Sequence, residues 1–344
     1  MSFVSRMFSP LLRSNIFRNV SESAFSKKSY LYLYSTIASM LIVNRTTAHA
    51  SSGSIAAAGA QCFSFGVSHM QGRRSYMEDV TSVIPSFMGL QSLFAGVFDG
   101  HSGKRASVFA ADLLPKTLSK LLMDNGLASV DPVEQEQRFL DIVARCMREA
   151  VLLTDKSFCK LATMQQWTDG TTAVAAFIHS GHMFLSNTGD SRAVLCSKSQ
   201  GAFPLTRDHK PDDPAEAERI SSVGGFVKFS SGAYRVNGIL AMSRAVGDCF
   251  LKAVGVTAEP DLYHRKLRTD DEFLIIASDG LWDVLSSDTV HKVASENDAS
   301  PQLAAERLVE LAYRNGSMDN ISVVVVDLRN LSEGHSSTAS VLER

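Results

Sequence analysis

Past an N-terminal stretch of different make-up, residues 62–329 alternate short apolar runs with longer segments whose apolar positions recur three or four apart. The short runs are rich in β-branched and aromatic residues and are mostly bounded by Gly, Asp or Asn. They predict strands over 93–98, 172–178, 182–187, 192–196, 273–278 and 321–328. Across 138–155, Phe139, Ile142, Val143, Cys146, Met147, Ala150 and Val151 fall on one helical stripe, and 104–122 and 301–314 read the same way. Each is expected to be an amphipathic helix with one buried face. With no internal repeat or long linker, one domain over 61–330 is the economical reading, followed by a Ser-, Gly- and Thr-rich tail at 331–344 expected to fray.

Composition narrows the function classes. The 344 residues are 45% hydrophobic and 20% charged, with a net charge of −2, so no broad basic field draws the chain to nucleic acid. The five cysteines, Cys62, Cys146, Cys159, Cys196 and Cys249, form no Cys-x-x-Cys pair and read as small buried hydrophobes in a reducing compartment. His179 and His182 bracket Ser-Gly, a strand-to-strand turn rather than a metal pair.

Residues 1–60 set Arg6, Arg13, Arg18, Lys27, Lys28 and Arg45 against the single acid Glu22, the make-up of an organellar presequence. Mitochondria are the expected address, with the chloroplast as alternative. The apolar stretch 30–43 falls short of the about 20 residues a membrane helix needs. It is read either as part of a two-part presequence, with Ala48-His49-Ala50 as a small-x-small cleavage pattern, or as a marginal membrane anchor.

Several strand candidates end in an acid. The run 93–98 leads into Asp99-Gly100-His101, 273–278 into Asp279-Gly280, and 182–186 into Asn187-Thr188-Gly189-Asp190; Asp319-Asn320 and Glu78-Asp79 precede apolar runs. Singly, each Asp-Gly is a turn. Together, carboxylates at strand ends can converge on one sheet edge, and an aspartate set without sulfur or paired histidines favours Mg²⁺ or Mn²⁺ over zinc.

The motifs in their order make the chain resemble the type 2C, metal-dependent serine/threonine protein phosphatases over about 65–327. They include Arg74-Ser-Tyr-Met-Glu78-Asp79, Phe98-Asp99-Gly100-His101, Asp169-Gly170-Thr171-Thr172, Gly189-Asp190-Ser191-Arg192, Asp208-His209-Lys210-Pro211, Ser243-Arg244-Ala245-Val246-Gly247-Asp248, Asp279-Gly280-Leu281-Trp282-Asp283 and Asp319-Asn320. The resemblance implies an α+β fold, a four-layer α-β-β-α sandwich of two antiparallel sheets with a dinuclear metal site at one edge. It implies two Mn²⁺ or Mg²⁺ ions, with Asp99 bridging them, Asp279 and Asp319 completing one site, and Glu78 with the Gly100 carbonyl completing the other. Asp190 and Asp283 match positions for a third, weaker ion. Arg74 matches the phosphate clamp and His101 the general acid, whose plainer reading is a loop residue orienting Asp99. Arg73 stands where many members carry an aromatic residue, which opens the question of which guanidinium reaches phosphate; Thr171 stands where many carry serine.

The implied reaction is hydrolysis of phosphoserine and phosphothreonine in proteins by a metal-bridged hydroxide attacking phosphorus directly, in a monomer whose partners are phosphoprotein substrates. The intact metal set argues against the alternative, a catalytically inactive relative acting as a regulatory binding protein. A hydrolase of small phosphorylated metabolites would use the same centre. No His-Cys-x5-Arg segment supports a phosphocysteine mechanism, and no Gly-x-Ser-x-Gly elbow a serine hydrolase.

Overall fold

The computed structural model describes residues 63–89, 92–296 and 300–329. The presequence reading of 1–60, the apolar stretch 30–43 and the tail 331–344 lie outside them. Among the described residues, no helix is long and apolar enough to cross a membrane.

In chain order the elements are β1 (Phe65–Met70), β2 (Val80–Pro85), β3 (Ser92–Phe98), β4 (Gly100–His101), α1 (Arg105–Asp124), α2 (Glu136–Gln165), β5 (Gly170–Thr171), β6 (Ala173–His179), β7 (His182–Thr188), β8 (Arg192–Ser197), β9 (Gly201–Pro204), α3 (Pro214–Ser222), β10 (Val227–Ser230), β11 (Ala233–Val236), β12 (Val246–Gly247), β13 (Asp261–Lys266), β14 (Asp271–Ala277), α4 (Asp279–Trp282), α5 (Ser287–Glu296), α6 (Pro301–Arg314) and β15 (Ile321–Asp327). Two five-stranded antiparallel sheets form, ordered β1-β15-β14-β8-β9 and β13-β7-β6-β3-β2.

Strand periodicity sorts the core. Along β14, Phe273, Ile275 and Ala277 join Val323 and Val325 of β15 in a cluster with Ala304, Leu308 and Ala312 of α6. The alternate residues Leu274 and Ile276 join Val324 and Val326 in a second cluster, which also holds Leu93, Ala95, Val97, Val174 and Ala176 of the other sheet. The opposite face of that second sheet, with Phe94, Phe177 and Phe184, packs on Leu114 and Leu118 of α1 and Phe139, Val143 and Met147 of α2. Each central strand thus buries both faces, so these strands read as unbroken apolar runs.

The α2 helix runs ten residues past the expected 138–155, because Phe158 and Ala162 continue its buried stripe beyond the polar Asp155-Lys156-Ser157. The α6 helix starts at Pro301, where Ser300 caps it by accepting from Leu303 N at 3.2 Å.

The reading of all cysteines as buried hydrophobes is corrected. Cys146 and Cys196 are buried and free, whereas the partly exposed Cys159 and Cys249 form a disulfide with a Cα–Cα distance of 5.4 Å. The two lie 90 residues apart, with no motif spacing to announce the pair.

A smaller cluster of Ile220, Val236, Leu240, Met242, Ala245, Leu251 and Val256 supports the β10–β11 hairpin apart from the sheets. Beneath it, Glu216 of α3 accepts from Ser243 Oγ, Arg219 Nη2 and Arg244 Nη2, each at 2.6 Å.

Candidate active site

The chain reverses at the ends of β3, β7 and β14, and each reversal carries an acid: Asp99 after β3, Asp190 after β7 and Asp279 after β14. Asp319 leads into β15, Glu78 and Asp79 lead into β2, and Asp283 caps α4. Asp99 is anchored by two hydrogen bonds with Thr172: Asp99 N donates to Oγ1 at 3.0 Å, and Thr172 N donates to the Asp99 carbonyl at 2.9 Å.

These acids form one electrostatic unit. Burial, then the charges of Asp79, Asp279, Asp190 and Asp319, push the Asp99 carboxyl well above its ordinary range. Burial and the neighbouring Asp190, Asp283 and Asp319 raise Asp279 likewise. Burial holds Asp79 up at about 6, against hydrogen bonds from Ser322 and Ser278, and raises Asp283. Asp79, Asp190 and Asp279 each keep one buried carboxylate oxygen without a hydrogen-bond partner.

Among the described residues, two cations pair directly with these acids. Arg74 pairs with Asp319, and Lys210 Nζ donates to Asp190 Oδ2 at 2.5 Å. Burial alone would lower the Lys210 pKa, but the charges of Asp190, Asp279 and Asp283 outweigh it and raise it. Arg73 turns elsewhere, donating to the carbonyls of Tyr313 and Ser317 and stacking over the Tyr313 ring at 4.2 Å.

Glu78 Oε1 accepts from Gly103 N at 2.7 Å, and Glu78 N donates to Asn320 Oδ1 at 2.8 Å. Asn320 Nδ2 donates in turn to the carbonyls of Gln71 and Tyr76, at 2.8 and 2.9 Å, so it fastens the loop bearing Arg74 and Glu78 to the start of β15. Gly100 needs to be glycine: a Cβ would stand 2.5 Å from the Glu78 carbonyl oxygen.

His101 belongs to a small sheet, β12-β5-β4, in which His101 pairs Gly170 and Gly170 pairs Gly247. The next residue, Asp248, is buried at positive φ, and its Oδ2 lies 2.7 Å from His101 Nε2. Burial would depress the His101 pKa, but the Asp248 hydrogen bond and charge, with Asp190 and Glu78, raise it. Asp248, Asn320, Lys210 and Asp79 sit within quoted motifs yet received no role from sequence; their partners are too distant in the chain to read.

The expected donors are carboxylates and one carbonyl, a set that Mg²⁺ and Mn²⁺ prefer. Crowded acids with orphaned oxygens fit that chemistry, although among the described residues no group of three or more His, Cys, Asp or Glu side chains is drawn into an ion-holding arrangement.

The fold is that of a solved serine-threonine phosphatase 2C from Toxoplasma gondii, with a TM-score of 0.70 at 24% identity over 78% of this chain and 96% of that one. A C. elegans sex determining protein matches as well, at TM-score 0.70 and 24% identity over 91% of this chain and 78% of its own. A profile of the family "Protein phosphatase 2C" matches residues 63–321. Relatives include Protein phosphatase 1L of Bos taurus, 36% identical over 77% of this chain and 72% of the relative, and Probable protein phosphatase 2C 59 of Arabidopsis thaliana, 36% identical over 86% and 88%. The chain belongs to the protein phosphatase 2C family, and with it to the serine/threonine protein phosphatases, whose activity generally requires Mg²⁺ or Mn²⁺.

Proposed function

We propose that the chain hydrolyses phosphoserine and phosphothreonine in protein substrates with water attacking phosphorus directly, and without a covalent enzyme intermediate. The observation that carries this reading is the convergence of Asp99, Asp279, Asp190, Asp319 and Asp79 into one mutually repelling, undercompensated cluster. Glu78, Asp99, the Gly100 carbonyl, Asp279 and Asp319 would hold two Mn²⁺ or Mg²⁺ ions, with Asp190 and Asp283 available to a third. Bound there, the ions would offset the phosphate charge and make water a better nucleophile at neutral pH.

The chain's own groups supply the rest. Arg74, half exposed beside Asp319, can offer two parallel N–H donors to a phosphate as it exchanges partners. His101, held through Nε2 by Asp248, can give a proton to the departing seryl or threonyl oxygen. The three core clusters support a four-layer α-β-β-α sandwich; the catalytic domain is proposed to span 61–330, with the metal centre at one edge, and the chain to act as a monomer.

A mitochondrial address rests on the basic composition of 1–60, and on a rice relative (Oryza sativa subsp. japonica), 37% identical over 77% of this chain, that is named mitochondrial. The deciding assay is phosphothreonine-peptide hydrolysis by the full chain with Mn²⁺, with EDTA, and with Asp279→Asn. Turnover that vanishes in both controls is expected. A wild-type chain inert on phosphopeptides and on small phosphate esters would instead make it a binding protein; turnover of small esters alone would make it a metabolite phosphatase.

A further inference from the structure

The Cys159–Cys249 disulfide joins the C-terminal half of α2 to the residue that follows Asp248, the partner of His101. That segment is already held from several sides. Gly247 N donates to Asp155 Oδ1 at 2.8 Å, Lys252 Nζ pairs with the same oxygen at 2.9 Å, and Asp248 N donates to the Asp169 carbonyl at 3.0 Å. Both of these polar contacts from α2 use Asp155, one turn before Cys159, so the disulfide and the two bonds grip helix and loop at one place. The fit around Asp248 is close: a Cβ on Gly170 would stand 2.0 Å from Asp248 Oδ2 and 2.3 Å from His101 Nε2, so a small shift of Asp248 moves the imidazole it holds.

We infer that Asp248 is a positioning residue for His101 and that the Cys159–Cys249 disulfide locks it in place, making hydrolysis of poor leaving groups sensitive to the thiol–disulfide state of this pair. The inference rests on the phosphatase reading above. Both cysteines are partly exposed and therefore open to exchange, whereas burial pushes the buried thiols of Cys146 and Cys196 up to about 11 and about 12, which leaves them unreactive. The chemistry closes with a low-molecular-weight disulfide as oxidant. As the Sγ–Sγ bond forms, the two thiols give up two protons and two electrons to oxidised glutathione, which leaves as two molecules of reduced glutathione.

Leaving-group dependence distinguishes a placed histidine from a generally weakened fold. A seryl or threonyl oxygen needs a proton as it departs, while p-nitrophenolate leaves without one. The full chain is therefore equilibrated with oxidised glutathione or with a phosphine reductant, and its thiols are mapped by alkylation and peptide mass. It is then assayed with Mn²⁺ on a phosphothreonine peptide and on p-nitrophenyl phosphate. Mapping should show Cys159 and Cys249 joined only in the oxidised sample. On reduction, kcat for the peptide should fall about fivefold with KM unchanged, while p-nitrophenyl phosphate turnover stays within about twofold. Cys159→Ser and Cys249→Ser should each behave as the reduced enzyme in both conditions, so either variant serves if the other fails to fold. Asp248→Ala should cost about a hundredfold on the peptide, well beyond its effect on p-nitrophenyl phosphate, and abolish the redox response, with Asp248→Asn recovering part of the loss. A free thiol pair after oxidation, an unchanged ratio between the two substrates, or a redox response surviving in Asp248→Ala would overturn the inference. Loss of both substrates in every state would instead sink the phosphatase reading.

Discussion

Replacing Glu216 with glutamine removes one negative charge from beneath the hairpin and leaves the shape of the site almost unchanged. Although burial opposes its ionisation, the hydrogen bonds from Arg244, Ser243 and Arg219 hold the Glu216 carboxyl down at about 2, against an ordinary value of 4.5. Each tenfold change in proton affinity is about 1.4 kcal/mol, so the ionised carboxylate contributes about 3 kcal/mol to folding. Because its folded pKa is depressed, this contribution is present in full above pH 4.5 and is lost as pH falls towards 2. Glu216→Gln should therefore melt roughly 6–10 °C below wild type at pH 7 by calorimetry, and the gap should close on acidification through that window. A difference under about 2 °C at neutral pH, or one that persists unchanged below the folded pKa, would refute the reasoning.

Two further outcomes follow from contacts near the proposed metal ligands. Arg74→Lys keeps the charge but loses the paired donors, so KM for a phosphopeptide should rise about tenfold with a smaller effect on kcat, read from steady-state kinetics. In Gly280→Ala the new Cβ would stand 2.0 Å from the Asn320 carbonyl oxygen and 3.4 Å from Asp319 Cβ. The displaced backbone should lower both the melting temperature and the Mn²⁺ response, and isothermal titration of Mn²⁺ separates the two effects.

The central strands were legible because both their faces are buried. The run 273–278 falls on β14 almost residue for residue, and 301–314 coincides with α6. The edge strands were not. β13 alternates half-buried with exposed positions through Asp-Leu-Tyr-His-Arg-Lys, and β2 is only partly buried throughout, so neither carries a clear apolar signal. The site divides along similar lines. Acids next to apolar runs announced themselves, while Asp248 lies 147 positions from His101 and becomes its partner only through the pairing of β12, β5 and β4. Between the neighbours Arg73 and Arg74, motif register alone favoured Arg74; their opposite directions come from packing against α6 and Asp319.

The hairpin of β10 and β11 rests on its own small cluster, not on either sheet, and it presents Phe229 and Tyr234 to solvent at 60% and 45% exposure, their rings in edge contact. The two rings stand on the outer side of the hairpin, while the cluster beneath it runs on through Ala245 and Leu251 to the segment that carries Asp248. An exposed aromatic pair can change in sequence without opening a cavity in either sheet, so this outer face is free to vary while the two-sheet body that sets the acids in place stays the same.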